Sequence, residues 1–115
     1  MGNKQKLYLA GPISNAPQAK TRFSKAEHML RSAGFDVVNP FTVLAEAVIP
    51  GYDGMNRDEK CKAQLRADLI HMLMCDGIAT LSLDAPSEGM ARELNLAHSL
   101  GMDVRTLQKW VETSG

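Results

Sequence analysis

Residues 7–40 read LYLAGPISNAPQAKTRFSKAEHMLRSAGFDVVNP, and the order of patterns inside this stretch decides the fold. Leu7 to Ala10 is a short apolar run stopped by Gly11-Pro12, a pair that cannot continue a strand, so a strand and a sharp turn are predicted. From Ala16 to Ala33 the apolar or small residues Ala19, Phe23, Ala26, Met29, Leu30 and Ala33 recur at three-four spacing. That is the period of an amphipathic helix, and Gly34 supplies its stop. Phe35 to Val38 is rich in β-formers and ends at the turn signal Asn39-Pro40. Strand, helix and strand in this order make a βαβ unit with a parallel pair.

The rest of the chain repeats the alternation. A short helix is expected from Phe41 to Ala47, then a long loop from Val48 to Lys60, broken by Pro50, Gly51 and Gly54. Long loops on compact domains often act as lids, and Tyr52, Arg57 and Lys60 lie in or next to this one. Cys61 to Cys75 has a helical pattern, Ile78 to Leu83 reads as a strand, and Ser87 to Leu100 as a helix closed by Gly101. A short strand over Val104 to Leu107 and a helical turn around Trp110 complete the series. The expected fold class is α/β: an open parallel sheet of four to five strands with helices on both faces.

With 115 residues, 44% hydrophobic and 23% charged, the chain has the composition of one ordinary globular domain, spanning residues 1–115. A core this small gains from sharing surface with a second copy. Thirteen basic and thirteen acidic residues cancel, which disfavours a long nucleic acid as partner. Met1 to Lys6 is polar, without the apolar core of a signal peptide, and no run approaches a membrane span, so a cytoplasmic location is expected. Cys61 and Cys75 lack a metal-binding spacing and read as reduced, half-buried thiols, and His28, His71 and His98 form no metal motif, so neither a metal nor another cofactor is expected.

Two carboxylates stand on helix faces that should be apolar. On the last long helix Met90, Leu94, Ala97 and Gly101 share an arc of about 60°, and Glu93 lies about 40° beyond Ala97. On the preceding helix Asp68 lies about 40° from the stripe of Leu65, Leu69 and Met72. A buried carboxylate costs several kcal/mol unless partnered. Either each touches only the edge of its stripe and pairs with Arg66 or Arg92, or both line one polar cavity. In open parallel sheets ligands lie beyond the carboxyl ends of the strands. Three segments converge there: Gly11 to Asn15, Asn39-Pro40, and Asp84 to Gly89. Ser87 can cap the last helix, and the amides around Gly89 can hold a phosphate or sugar oxygen.

Tyr8-Leu9-Ala10-Gly11-Pro12, then Asp68 with Cys75-Asp76, then Ser87-Glu88-Gly89-Met90-Ala91-Arg92-Glu93, taken in this order, resemble the nucleoside 2-deoxyribosyltransferase superfamily. The outline is nearest its small members, which include the 2'-deoxynucleoside 5'-phosphate N-hydrolases. The resemblance runs from about Leu7 to Trp110 and implies a flavodoxin-like (Rossmann-like) sheet and an enzyme acting on a small nucleoside or nucleotide. It implies Glu93 as the nucleophile at the anomeric carbon, oriented by Tyr8, with Asp68 binding sugar hydroxyls or assisting protonation of the leaving base. Gly11, Pro12, Ile13, Ser14, Asn39, Ser87 and Gly89 are the substrate-binding candidates, Ser87 and the amides of Ile13 and Ser14 taking a 5'-phosphate. Transferases on free nucleosides carry an aspartate where Ser87 stands, which favours the hydrolase branch. Related enzymes complete each site with a neighbouring subunit, so a homodimer or higher homo-oligomer is expected. A non-catalytic nucleotide-binding module on the same fold is the alternative.

Overall fold

The computed structural model describes residues 4–11, 16–81 and 88–113. Four strands form one parallel sheet: β1 (Lys6–Ala10), β2 (Asp36–Val38), β3 (Gly77–Thr80) and β4 (Asp103–Thr106), in the order β2-β1-β3-β4. β1 is central, pairing with β2 from Lys6 opposite Asp36 to Tyr8 opposite Val38, and with β3 from Leu7 opposite Gly77 to Ala10 opposite Thr80. The chain therefore steps from β1 to one side and returns to the other, which puts the reversal of strand order between β1 and β3.

β1 shows why the sheet carries helices on both faces. Its side chains alternate, and all but Lys6 are buried, so each face needs a cover. Leu7 and Leu9 face the layer built by α1 (Ala16–Ser32) and α5 (Leu107–Thr113), packed with Phe23, Leu30, Phe35, Val37 and Trp110. Tyr8 and Ala10 face α3 (Arg57–Leu73) and α4 (Glu88–Ser99), packed with Met72, Cys75, Ile78 and Ala97. A third cluster, Val43, Ala45, Ile49, Ala63 and Ala67, joins the short α2 (Ala45–Val48) to α3.

The expected elements recur with corrections to their bounds. The strand expected over Ile78 to Leu83 begins at Gly77 and ends at Thr80, with Leu81 in a bend and the residues after it outside the described ones. The expected helix over Phe41 to Ala47 is two pieces, a 3-10 turn at Pro40–Thr42 and α2, with Val43 and Leu44 extended between them. The expected loop up to Lys60 is shorter, because α3 begins at Arg57 and not at Cys61. Its start is a capping box: Asn56 Oδ1 accepts from the Glu59 amide at 2.9 Å and Glu59 Oε1 accepts from the Asn56 amide at 3.1 Å. Tyr52 stands in a 3-10 turn, Tyr52–Gly54, while Arg57 and Lys60 belong to the helix. Cys75 is buried as a thiol pushed up to about 11 by that burial, and Cys61 is exposed rather than half-buried.

Gly77 fixes the amino end of β3. A Cβ there would stand 2.7 Å from the Asp103 carbonyl oxygen and 2.9 Å from the Trp110 ring, so only glycine lets the indole close on the sheet. Trp110 Nε1 donates to the Ile78 carbonyl at 2.8 Å, Phe35 meets the ring edge-on at 5.7 Å, and the Arg105 guanidinium lies 4.6 Å from its centroid.

Candidate active site

Tyr8 sits in mid-strand with no exposed surface, and a phenol there needs a partner for its hydroxyl. That partner comes from α4: Tyr8 Oη donates to Glu93 Oε2 at 2.7 Å. Glu93 is 9% exposed, and its burial follows from its position one turn before Ala97 on the face that α4 lays on the sheet. Burial pushes the Glu93 carboxyl up to about 7, against the Tyr8 hydrogen bond that favours its ionised form, and the charge of Asp68 adds to the rise. Burial, then the negative charges of Glu93 and Asp68, hold the Tyr8 hydroxyl well above its ordinary range, so it remains a proton donor.

Asp68 lies on the adjacent helix, half-buried, and accepts from Gln64 Nε2 at 2.9 Å. Burial raises its carboxyl to about 6, opposed by the Gln64 hydrogen bond and by His71. Each carboxylate has a neutral hydrogen-bond donor, a phenol for one and an amide for the other. Near neutral pH both are poised between their acid and base forms, the condition that acid–base and nucleophilic work requires.

Asp68 also lines a hollow of about 260 Å³, whose other described walls are Pro40, Phe41, Val43 and Gln64. Gln64 is shared with a second hollow of about 480 Å³, lined by Tyr52, Met55, Arg57, Lys60 and Cys61. Glu93 is not among the described walls of either; its link to the site runs through Tyr8 and through the field of Asp68. Asn39, 5% exposed, has its side chain engaged: Oδ1 accepts from the Phe41 amide at 3.0 Å and Nδ2 donates to Glu27 at 3.1 Å. It thereby builds the turn that holds Pro40 and Phe41 in the wall. Gly11 is buried at the end of β1, where a Cβ would come within 3.2 Å of Leu81 and 3.3 Å of the Phe23 ring.

Pro12, Ile13, Ser14 and Ser87 lie outside the described residues, and of Gly89 only its place in α4 is described. The sequence reading missed Gln64. Its i,i+4 spacing from Asp68 was the available signal, because residues one turn apart on a helix meet. Among the described residues no three His, Cys, Asp or Glu side chains group to hold a metal ion, and no helix is long and apolar enough to cross a membrane.

Residues 5–106 match a family described as Domain of unknown function (DUF4406). No curated protein matches the chain. Among solved structures, a 2-deoxyribosyltransferase from the psychrotolerant bacterium Bacillus psychrosaccharolyticus, described as a biocatalyst for the synthesis of antiviral and antitumoral nucleosides, is 31% identical with a TM-score of 0.62. The similarity covers 86% of this chain and 69% of that one. The shared parallel sheet, the span of the family match and this identity together establish that the chain belongs to the DUF4406 family, within the nucleoside 2-deoxyribosyltransferase superfamily.

Proposed function

We propose that this chain is an enzyme that cleaves the N-glycosidic bond of a nucleoside or nucleoside 5'-monophosphate, with Glu93 as the nucleophile. The observation that carries the reading is the buried 2.7 Å bond from Tyr8 to Glu93 beside a second raised carboxyl at Asp68. A binding protein gains nothing from a glutamate kept out of water at that cost. A glycosidic enzyme does, because an oxocarbenium-like sugar is stabilised by an adjacent carboxylate that can also bond to it.

In this reading Tyr8 fixes one carboxylate oxygen, so the other is directed at the anomeric carbon. Glu93 forms an ester bond to that carbon as the carbon–nitrogen bond breaks, and the electron pair leaves with the base. Asp68, in its acid form, delivers a proton to the departing base. The resulting Asp68 carboxylate then accepts a proton from water, or from a second base, as it displaces Glu93 from the sugar. Water gives hydrolysis and a second base gives transfer. Both regenerate the starting carboxyls.

We read residues 1–115 as one deoxyribosyltransferase-like domain, working in the cytoplasm as at least a dimer. Exposed Ile70, Leu73, Met74 and Leu100, at the carboxyl ends of α3 and α4, support self-association. A stable monomer in size-exclusion chromatography would sink the dimer. The test of the reaction is incubation with a panel of nucleosides and 5'-monophosphates, with released base measured by chromatography. Release by the native chain and none by Glu93→Ala is expected. Binding without release by either makes the chain a nucleotide-binding module instead.

A further inference from the structure

Along α1, Phe23, Glu27 and Arg31 stand four residues apart and so share one face. Each of them holds a different point of the chain that makes up β2 and leaves it. Arg31 Nη1 donates to Asp36 Oδ1 at 3.2 Å and Nη2 to the Val37 carbonyl at 3.0 Å. Glu27 Oε1 accepts from Asn39 Nδ2 at 3.1 Å, while its Oε2 accepts from Arg31 Nε at 2.9 Å. Phe23 meets the Phe41 ring edge-on at 5.1 Å. The spacings match, because the two helical turns and more from Phe23 to Arg31 rise about 12 Å, and the chain from Val37 to Phe41 spans at most about 13 Å in the opposite direction. α1 thus carries a latch of three points, and the chain it holds ends in Pro40 and Phe41, walls of the hollow that Asp68 also lines.

Of the three points, Glu27 is the one that governs the turn itself. Asn39 is 5% exposed and its Oδ1 is committed to the Phe41 amide at 3.0 Å, so Nδ2 has to face the other way. The acceptor it meets there is Glu27 Oε1, and the bond from Arg31 keeps that carboxylate from turning. Without this acceptor a buried amide is left with an unmet donor. It then either turns over, taking Oδ1 from the Phe41 amide, or opens the turn to water, and both displace Phe41. We infer that Glu27 is a positioning residue for substrate binding, which acts through Asn39 to fix the place of Phe41 in the wall of the hollow. The inference rests on reading the Asp68 hollow as the substrate site. The Glu27 and Arg31 side chains are 26% and 49% exposed, so their ion pair adds little stability, and what it supplies is geometry. The hydrogen bonds of Tyr8, Glu93 and Asp68 run between β1, α3 and α4, away from this latch, so its loss should appear in affinity before it appears in turnover.

The experiment measures kcat and KM for base release from the common 2'-deoxynucleosides and their 5'-monophosphates. In parallel, Kd for the same compounds is measured by calorimetry, with each substitution placed in a Glu93→Gln background. Glu27→Ala is expected to raise KM and Kd by about tenfold, the order of one lost buried hydrogen bond, with kcat within about twofold of native. Asn39→Asp alone sets carboxylate against carboxylate and should weaken binding at least as much. Asn39→Asp combined with Glu27→Gln remakes the bond with its direction reversed, the new amide donating to position 39 while its oxygen serves Arg31, and should bring affinity back towards the native value. If Glu27 is merely structural, its loss lowers the folded fraction, so that kcat per total chain falls together with the melting temperature while KM and Kd stay native. That result overturns the inference, and so does a double variant that binds no better than Asn39→Asp alone. Compounds that bind the native chain but release no base defeat the glycosidic reading, and the Kd values then decide the inference by themselves. No binding of any compound to the native chain or to Glu93→Gln overturns both.

Discussion

The two faces of the sheet are made by alternate residues of the same five-residue strand and are opposite in character. Towards α1 and α5, Leu7 and Leu9 meet Phe23, Leu30, Phe35 and Trp110. Towards α3 and α4, Tyr8 and Ala10 meet Met72, Cys75 and Ile78, but Tyr8 ends on Glu93 and the field of Asp68 reaches them both. The first face gathers apolar and aromatic area, which is the larger source of stability. The second keeps Glu93 out of water and Asp68 half out of it, which costs stability. Because side chains alternate along a strand, a slip of one residue in β1 would exchange the two. The small sheet is thus held by one side so that the other can carry destabilising chemistry.

If this division holds, the largest effect should come from Glu93→Gln, which changes shape least and chemistry most. Base release is expected to fall by about a thousandfold or more, as for removal of a nucleophile, while the chain stays folded. The measurement pairs chromatographic turnover with thermal unfolding, and retention of most of the activity would break the assignment. On the other face Trp110→Ala should do the reverse. It removes the ring that fills the space over Gly77 and the bond to Ile78, so a loss of about 3 to 5 kcal/mol in denaturant unfolding is expected. The fraction that remains folded should keep the native turnover rate.

The faces should also separate by pH. Glu93, raised to about 7, and Asp68, raised to about 6, hold their protons in the folded chain at pH values where the unfolded chain has lost them. Between about 4 and 7 the native state therefore binds more protons, and stability falls as pH rises through that window. For Glu93 the loss is on the order of 3 kcal/mol once it is fully ionised. Unfolding curves from pH 4 to 8 should show it, and Glu93→Gln should flatten the dependence. A native chain whose stability rises across this range would contradict the burial of both carboxyls.

Much of this division can be read from residue order, for a physical reason. Periodicity reports which way a side chain faces, so Glu93 stands out on α4 and is buried beside Tyr8, whereas the stripe expected on α3 over Leu65, Leu69 and Met72 is in fact Ala63, Ala67 and Met72, and Asp68 is half-buried in the wall of a hollow. What periodicity omits is the partner across the gap. Gln64 is an ordinary polar residue until its bonds to Val43 and Asp68 are seen, and the Trp110 lock on Gly77 joins residues far apart in the chain. The start of α3 was misplaced because Gly51 and Gly54 read as a continuing loop, while Asn56 and Glu59, three residues apart, already spelled a capping box. The phosphate-loop candidates Ile13, Ser14 and Ser87 lie outside the described residues, so their part rests on the resemblance alone.

Tyr8→Phe is the finest test, because it removes one oxygen at the point where the strand touches the chemistry. Its ring still fills the space under Met72 and Ile78, so the apolar packing of that cluster should persist. The hydroxyl favours ionised Glu93, and without it the Glu93 carboxyl should rise further above about 7. If ionised Glu93 attacks while protonated Asp68 donates, a higher Glu93 value thins the working form, so kcat/KM around neutral pH should fall by about tenfold and the alkaline limb should move to higher pH in the variant. At high pH, where Glu93 is ionised in both chains, the difference should narrow to what orientation alone supplies. An unmoved limb with a uniformly lower rate would mean that Tyr8 only positions the carboxylate, and that the group titrating in the profile is another, with Asp68 the next to examine.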